Sequence, residues 1–218
     1  MKTVTLTFDN GPTPGVTERV LAILRKHGLK VTFMVIGKNL MHATGQALLT
    51  KIVADGHWVG NHSLTHSIAF GDKLDPGYAE HEISRTQQLI GPYARPEKYF
   101  RPFGNEGQLG PHLLSEEALA HLQDHAYTCV LWNSIPRDWN DPDGWVQRAI
   151  EQVEEQDWSV IVLHDIDGAC VDRLDEFITR LEDMGVAFEQ AMPKEVLPIQ
   201  LGRLVSLPDD YVRHRSAV

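Results

Sequence analysis

Short apolar runs alternate with longer amphipathic ones along most of the chain. Val4 to Phe8 alternates β-branched and apolar residues and predicts a strand. Val16 to His27 repeats apolar residues at helical spacing, with Val20, Leu21, Ile23 and Leu24 on one face and Gly28 as the stop. The alternation continues with a strand at Val31–Ile36, a helix at Ala43–Ala54 and a short strand at Trp58–Val59. A helix follows at Tyr78–Ile90, broken by Gly91-Pro92, and then a strand at Lys98–Phe100. Leu113–His125 predicts a helix, Tyr127–Trp132 a strand and Trp145–Gln156 a helix. Ser159–Leu163 predicts a buried strand, Val171–Met184 a helix closed by Gly185, and Val186–Phe188 a last strand.

About seven β/α units in strict alternation imply a mostly parallel α/β sheet, either a closed barrel or an open doubly wound sheet. No repeat or linker divides the chain, so residues 1–218 are expected to form one domain, with 194–218 as a C-terminal tail. The length of 218 residues suffices for a single substantial core. The net charge of −10 disfavours nucleic acid and anionic membranes as partners. No apolar run reaches the roughly 20 residues that span a bilayer. The opening Met1–Phe8 is too short for a secretory signal, so a native N-terminus predicts a cytoplasmic protein. The cysteines, Cys129 and Cys170, are expected to be reduced.

Ionisable residues cluster where strands end. In a β/α barrel the groups that do chemistry sit at the C-terminal strand ends. Asp9 follows the first strand, His62 and His66 the third, Arg101 the fourth, Asp138 the fifth, and His164 with Asp165 the sixth. One at a time these have plainer readings. Asp9-Asn10-Gly11-Pro12 also suits a turn, Arg101 a surface ion pair, and Asp165 a helix N-cap. The four-residue spacing of His62 and His66 would put both imidazoles on one helical face, suited to a metal. Five strand ends delivering ionisable groups to one mouth favour a catalytic site.

The order of local motifs resembles the polysaccharide deacetylase family. The residues that carry the resemblance are Thr7–Pro12, Thr32-Phe33 with Gly37, Gly56–His66, Phe100–Gly104, Trp132 through Asp138-Trp139, and Leu163–Asp165. The resemblance implies a distorted (β/α) barrel of about seven strands that hydrolyses non-peptide amide bonds, by default in N-acetylated sugars or oligosaccharides. It implies Asp9 as general base, Arg101 as its positioning partner, His164 as general acid and Asp138 as the residue orienting it. His62 and His66 would hold a divalent metal, usually zinc. Trp139 and Leu163 would line the acyl pocket, and backbone N–H groups near Phe103 and Gly104 would contribute to an oxyanion hole.

Position 10 departs from the family, which usually carries a metal-binding aspartate where this chain has Asn10. Three outcomes are open. The metal binds weakly, or with another carboxylate such as Glu106. Alternatively Asp9 activates water without metal, or the chain binds carbohydrate as a pseudoenzyme. Phe103 and Ile135 also depart from the family's usual residues and predict a reshaped pocket. A small linear or cyclic amide is therefore the alternative substrate class. A pure binder would need neither Asp9 nor His164.

Overall fold

A computed structural model describes residues 2–214. Along the chain, β1 (Thr3–Asp9) and α1 (Thr17–Lys26) are followed by β2 (Thr32–Val35) and α2 (Ala43–Ala54). Then come β3 (Trp58–Asn61), α3 (Tyr78–Ile90), β4 (Tyr99–Phe100), β5 (Leu114–Ser115) and α4 (Glu116–Asp124). The chain continues through β6 (Thr128–Cys129), α5 (Trp145–Glu155), β7 (Trp158–His164), α6 (Leu174–Asp183) and β8 (Ala187–Phe188). It closes with β9 (Ile199–Gln200), β10 (Arg203–Leu204) and β11 (Val212–Arg213).

The main sheet runs β10-β9-β6-β4-β3-β2-β1-β7, and β8 pairs with the start of β1. The strands foreseen from alternation are all parallel, whereas β9 and β10 add to the sheet antiparallel. Beyond β6 the chain reaches β7, where Ser134 bridges Ile161 and the Val162 N–H donates to the Ser134 carbonyl at 3.0 Å. That bridge brings the far side of the sheet back to β7, so the strands curl into a distorted, partly closed barrel.

Strand parity divides the core. Val4, Leu6 and Phe8 of β1, with Ile161 and Leu163 of β7, pack under α1, α5 and α6. The alternate residues point the other way, and Val160 and Val162 join Met34, Phe100, Leu131 and Trp132 in a second cluster. Period-two alternation explains the division, because neighbours in a strand face opposite sides. The helix at 113–125 is shorter than foreseen. Leu114-Ser115 is drawn into a parallel pair with Val212-Arg213, and Ser115 then caps α4 by accepting the Ala118 N–H at 3.1 Å. Cys129 and Cys170 are buried and unpaired. Among the described residues no helix is long and apolar enough to cross a membrane.

Candidate active site

Asp9 and His164 end adjacent parallel strands and are direct register partners. Both face a cavity of about 350 Å³ at the C-terminal rim, lined also by Asn10, His62, His66, Pro102 to Gly107, Trp132, Ile135, Trp139, Val162 and Ile166. The ends of β1, β3, β4, β6 and β7 contribute its walls, as loops do where they converge at a barrel mouth.

Arg101 lies wholly inside the barrel, with no solvent exposure. Its guanidinium donates from Nη1 to Asp9 Oδ1 at 2.8 Å and to Thr7 Oγ1 at 2.7 Å, and from Nε to the Val130 carbonyl at 3.2 Å. A buried guanidinium is tolerable only when its donors are met and its charge is balanced. Asp9 provides the balance and is itself held below the ordinary carboxylate range. Burial pushes its carboxyl up, but the adjacent Arg101 charge, together with the neighbouring His62 and His164 imidazoles and the hydrogen bond from Arg101, outweighs that push.

The imidazole of His62 is oriented by its Nδ1–H, which donates to the Arg101 carbonyl at 2.8 Å. Its Nε2 then faces Asp9 Oδ2 at 3.4 Å. His66 stacks on Phe103 with ring centroids 3.9 Å apart and lies 4.9 Å from the His62 ring. Burial depresses both histidines, His66 to about 3, so both are neutral and carry a free lone pair.

The segment between them is not helical, contrary to the reading from spacing. It leaves β3 as a loop in which Ser63 and His66 have φ of 71° and 53°. The turn is instead held by polar anchors. Asn61 Oδ1 accepts the Ser63 N–H at 3.0 Å, and Asn61 Nδ2 donates to the Ile83 carbonyl at 2.8 Å. Glu82 of α3, 2% exposed, accepts the N–H groups of Leu64 and Thr65 at 3.1 and 2.8 Å and the Thr65 hydroxyl. Sequence reading passed over both residues. The available signal is Glu82 itself, a carboxylate within the buried stripe Ala79, Glu82, Ile83, Thr86 and Ile90 of α3. Replacing Glu82 with Ala strands buried backbone donors, and the protein is expected to lose about 2–4 kcal/mol in urea unfolding.

His164 is held from two sides by Asp138. The carboxylate takes the His164 backbone N–H on Oδ2 and the Nδ1–H on Oδ1, each at 2.8 Å. Burial alone would lower the imidazole pKa, but the Asp138 hydrogen bond and charge, with Asp9 and Asp165 behind them, raise it. Trp139 meets the ring edge-on at 4.6 Å. Asp9 is thus tuned down and His164 up, on neighbouring strands.

Phe103, Gly104 and Trp139 line the cavity, whereas Leu163 does not. It lies on the helix side of β7, one residue out of phase, and Val162 takes the pocket-facing place. The loop Gly104–Gly107 arches through positive φ at every residue. It is fastened to the loop after β6, where Trp132 Nε1–H donates to the Gly107 carbonyl at 2.9 Å and Ile135 packs where a Cβ on Gly107 would sit. Arg137 Nη1 pairs with Glu106 at 3.4 Å on the same rim. Glu106 therefore serves this clasp. Among the described residues no three His, Cys, Asp or Glu side chains form a metal-binding group, and the Glu106 carboxylate pairs with Arg137 and is not grouped with His62 and His66.

The family sequence pattern described as polysaccharide deacetylase matches residues 1–130. A chitooligosaccharide deacetylase of Bradyrhizobium sp. (strain ANU 289) is 31% identical over 169 residues, covering 75% of this chain and 71% of that protein. Among solved structures, the family 4 carbohydrate esterase from Streptomyces lividans, in complex with acetate, superposes with a TM-score of 0.72 at 28% identity. It covers 92% of this chain and 96% of that one. The family 4 acetyl xylan esterase from Clostridium thermocellum, in complex with a cobalt ion, gives 0.69 at 30% identity over 86% of this chain and 87% of that one. With the motifs in order and the strand ends carrying them around one cavity, this chain belongs to the polysaccharide deacetylase family.

Proposed function

We propose that this protein hydrolyses the acetamide of an N-acetylated amino sugar or oligosaccharide. The observation that carries the reading is the opposed tuning of Asp9 and His164, register partners facing one cavity. Amide hydrolysis needs a base to activate water and an acid to protonate a poor leaving amine. Asp9 is ionised at neutral pH and takes the proton from water as its oxygen attacks the carbonyl carbon. His164, kept protonated by Asp138, gives a proton to the nitrogen as the C–N bond breaks. Phe103, Trp132, Ile135, Trp139 and Val162 supply an apolar surround for the acyl group and limit competing water.

The donors beside Asp9 fit a divalent cation. The Asn10 side-chain oxygen is buried without a hydrogen-bond partner, and it lies on the same cavity wall as the two neutral histidines. His62 Nε2 and Asp9 Oδ2 are both acceptors and lie 3.4 Å apart, an arrangement that a cation relieves. His62, His66 and Asn10 would hold the ion, zinc being compatible with imidazole donors. A cation held there supplies carbonyl polarisation and lowers the pKa of its water. The donor set is neutral, so its affinity is expected to be low. Asn10→Asp should tighten zinc binding by at least about 10-fold in chelator competition, the lower end of what even outer-shell changes do. Unchanged affinity would remove position 10 from the ligand set.

A compact and largely apolar cavity also favours a second reading, a small linear or cyclic amide as substrate. Both are tested by incubating the protein with acetylated chitooligosaccharides beside a panel of cyclic imides and ureides. Acetate release with matching free amine supports the first reading. Ring opening without acetate release supports the second, and neither product overturns both.

A further inference from the structure

Asp165 is a fully buried carboxylate that the acid–base scheme does not use. It follows the general acid directly in sequence. Its Oδ2 accepts the Thr17 hydroxyl proton at 2.6 Å, and Thr17 Oγ1 in turn accepts the Thr13 N–H at 2.7 Å. Thr17 is the first residue of α1 and has no solvent exposure. The three groups therefore form one directional chain, from the turn after β1, through the start of α1, to the end of β7.

The second contact is steric. A Cβ on Gly11 would collide with both carboxylate oxygens and the Cγ of Asp165. Only glycine lets the backbone after Asn10 approach this closely. Gly11 also accepts the Ile36 N–H on its carbonyl at 2.9 Å, and Asn39 Nδ2 donates to the Asn10 carbonyl at 2.9 Å. The turn that leaves Asp9 is thus pressed between Asp165 on one side and the end of β2 on the other. Asp165 Oδ1 has no hydrogen-bond partner, and burial pushes the carboxyl up to about 7.

We infer that Asp165 is a positioning residue, which with Thr17 and Gly11 staples the turn after Asp9 to the strand end carrying His164 and so sets how the base is presented toward the acid across the β1–β7 ladder. The inference rests on the acid–base reading of Asp9 and His164. Asp165 touches neither the cavity nor a reacting atom; it is absent from the cavity wall, while both its neighbours, His164 and Ile166, are on it. The walls that grip substrate come chiefly from the loops after β4 and β6, so loosening the staple should cost turnover rather than binding. Misplacement by about 1 Å can cost about 100-fold in rate.

The test compares Asp165→Ala, Asp165→Asn, Thr17→Val and Thr17→Ser. Asp165→Ala and Thr17→Val should lower kcat by about 10- to 100-fold with KM within a few-fold of the parent. Thr17→Ser restores the hydroxyl and should restore kcat. Asp165→Asn keeps the shape and an acceptor for Thr17, and should stay within a few-fold of the parent. If Asp165→Ala does not fold, the Thr17 pair decides the question. A lowered melting temperature with unchanged kcat in Thr17→Val, or a loss confined to KM, would overturn the inference. NMR separates this outcome from failure of the proposed function. The ¹³C signal of the Asp9 carboxyl and the ¹⁵N signals of the His164 ring should shift in Thr17→Val and return in Thr17→Ser without substrate. Unshifted signals would also overturn it, whatever the substrate proves to be.

Discussion

Asp9→Asn should reduce kcat/KM by about 1,000-fold while leaving the fold recognisable, because it removes the proton acceptor and keeps the side-chain volume. Asp9 is 3% exposed and its Oδ1 lies 2.8 Å from Arg101 Nη1. An amide oxygen can still accept that hydrogen bond, so the guanidinium keeps a partner but loses its counter-charge. The variant should therefore also lose stability, and the loss should depend on pH in a defined direction. The folded pKa of Asp9 lies below the ordinary 3.8, since Arg101, helped by His62 and His164, outweighs the effect of burial. Its ionised form thus stabilises the parent above pH about 3.8, and that contribution disappears as pH falls through the folded value. Urea unfolding should separate parent from variant at pH 7 and bring them closer at the acid end. Turnover in the variant equal to the parent would reject Asp9 as the base under either substrate reading. It would equally reject it with or without a bound cation, because the water's proton needs an acceptor in both cases.

Much of this site was legible because its parts obey short-range rules. The 3.6- and two-residue periodicities located the parallel strands and their crossover helices, and the residues just past those strands are the ones that meet around the cavity. Features set by distant partners were not legible. β5 and β11 are two residues each and exist because Leu114 and Ser115 pair with Val212 and Arg213. β9 joins the sheet through the pairing of Ile199 with Cys129. No local pattern encodes such a pairing. The His62–His66 spacing fits a helix as well as a loop, and the choice is made by Glu82 and Asn61, whose hydrogen bonds tie that loop to α3. Leu163 shows a different failure. The strand was correctly placed, but its parity was not. A one-residue phase error moves a side chain from the cavity to the helix layer. His164 faces the cavity, so Val162 must face it as well and Leu163 cannot.

The clasp between the loops after β4 and β6 was visible only as two departures from the family, at Phe103 and Ile135. In the structure these departures belong to one wall. Phe103 stacks on His66, whereas Ile135 fills the space over Gly107. The pocket's apolar character and the neutrality of the histidine pair are therefore linked. The packing that narrows the cavity also desolvates His66 and keeps its imidazole neutral.

Asp138→Asn is expected to be as damaging as loss of the base, for a reason of hydrogen-bond polarity rather than charge alone. Both Asp138 oxygens accept from His164, one from the backbone N–H and one from Nδ1–H. Asparagine offers one acceptor and one donor, so whichever way the amide is turned one of these bonds is lost. If the amide nitrogen faces Nδ1, that nitrogen must accept, so the ring is held as a neutral imidazole, which is too weak an acid to protonate the leaving nitrogen. A loss of about 1,000- to 10,000-fold in kcat follows the behaviour of imidazoles deprived of an orienting carboxylate. The pH profile gives the sharper check. In the parent, Asp138 holds the His164 pKa above 6.5 against burial, so activity should fall on the alkaline side above pH 6.5. Without that carboxylate burial prevails, and the descending limb should move to lower pH. The stability linkage changes with it. A raised His164 pKa stabilises the fold fully below pH about 6.5, and that stabilisation is lost as pH rises through the folded value. Asp138→Asn should therefore destabilise more at pH 5.5 than at pH 9 in urea unfolding. A descending limb that stays in place in the variant would show that another group donates the proton to the leaving nitrogen.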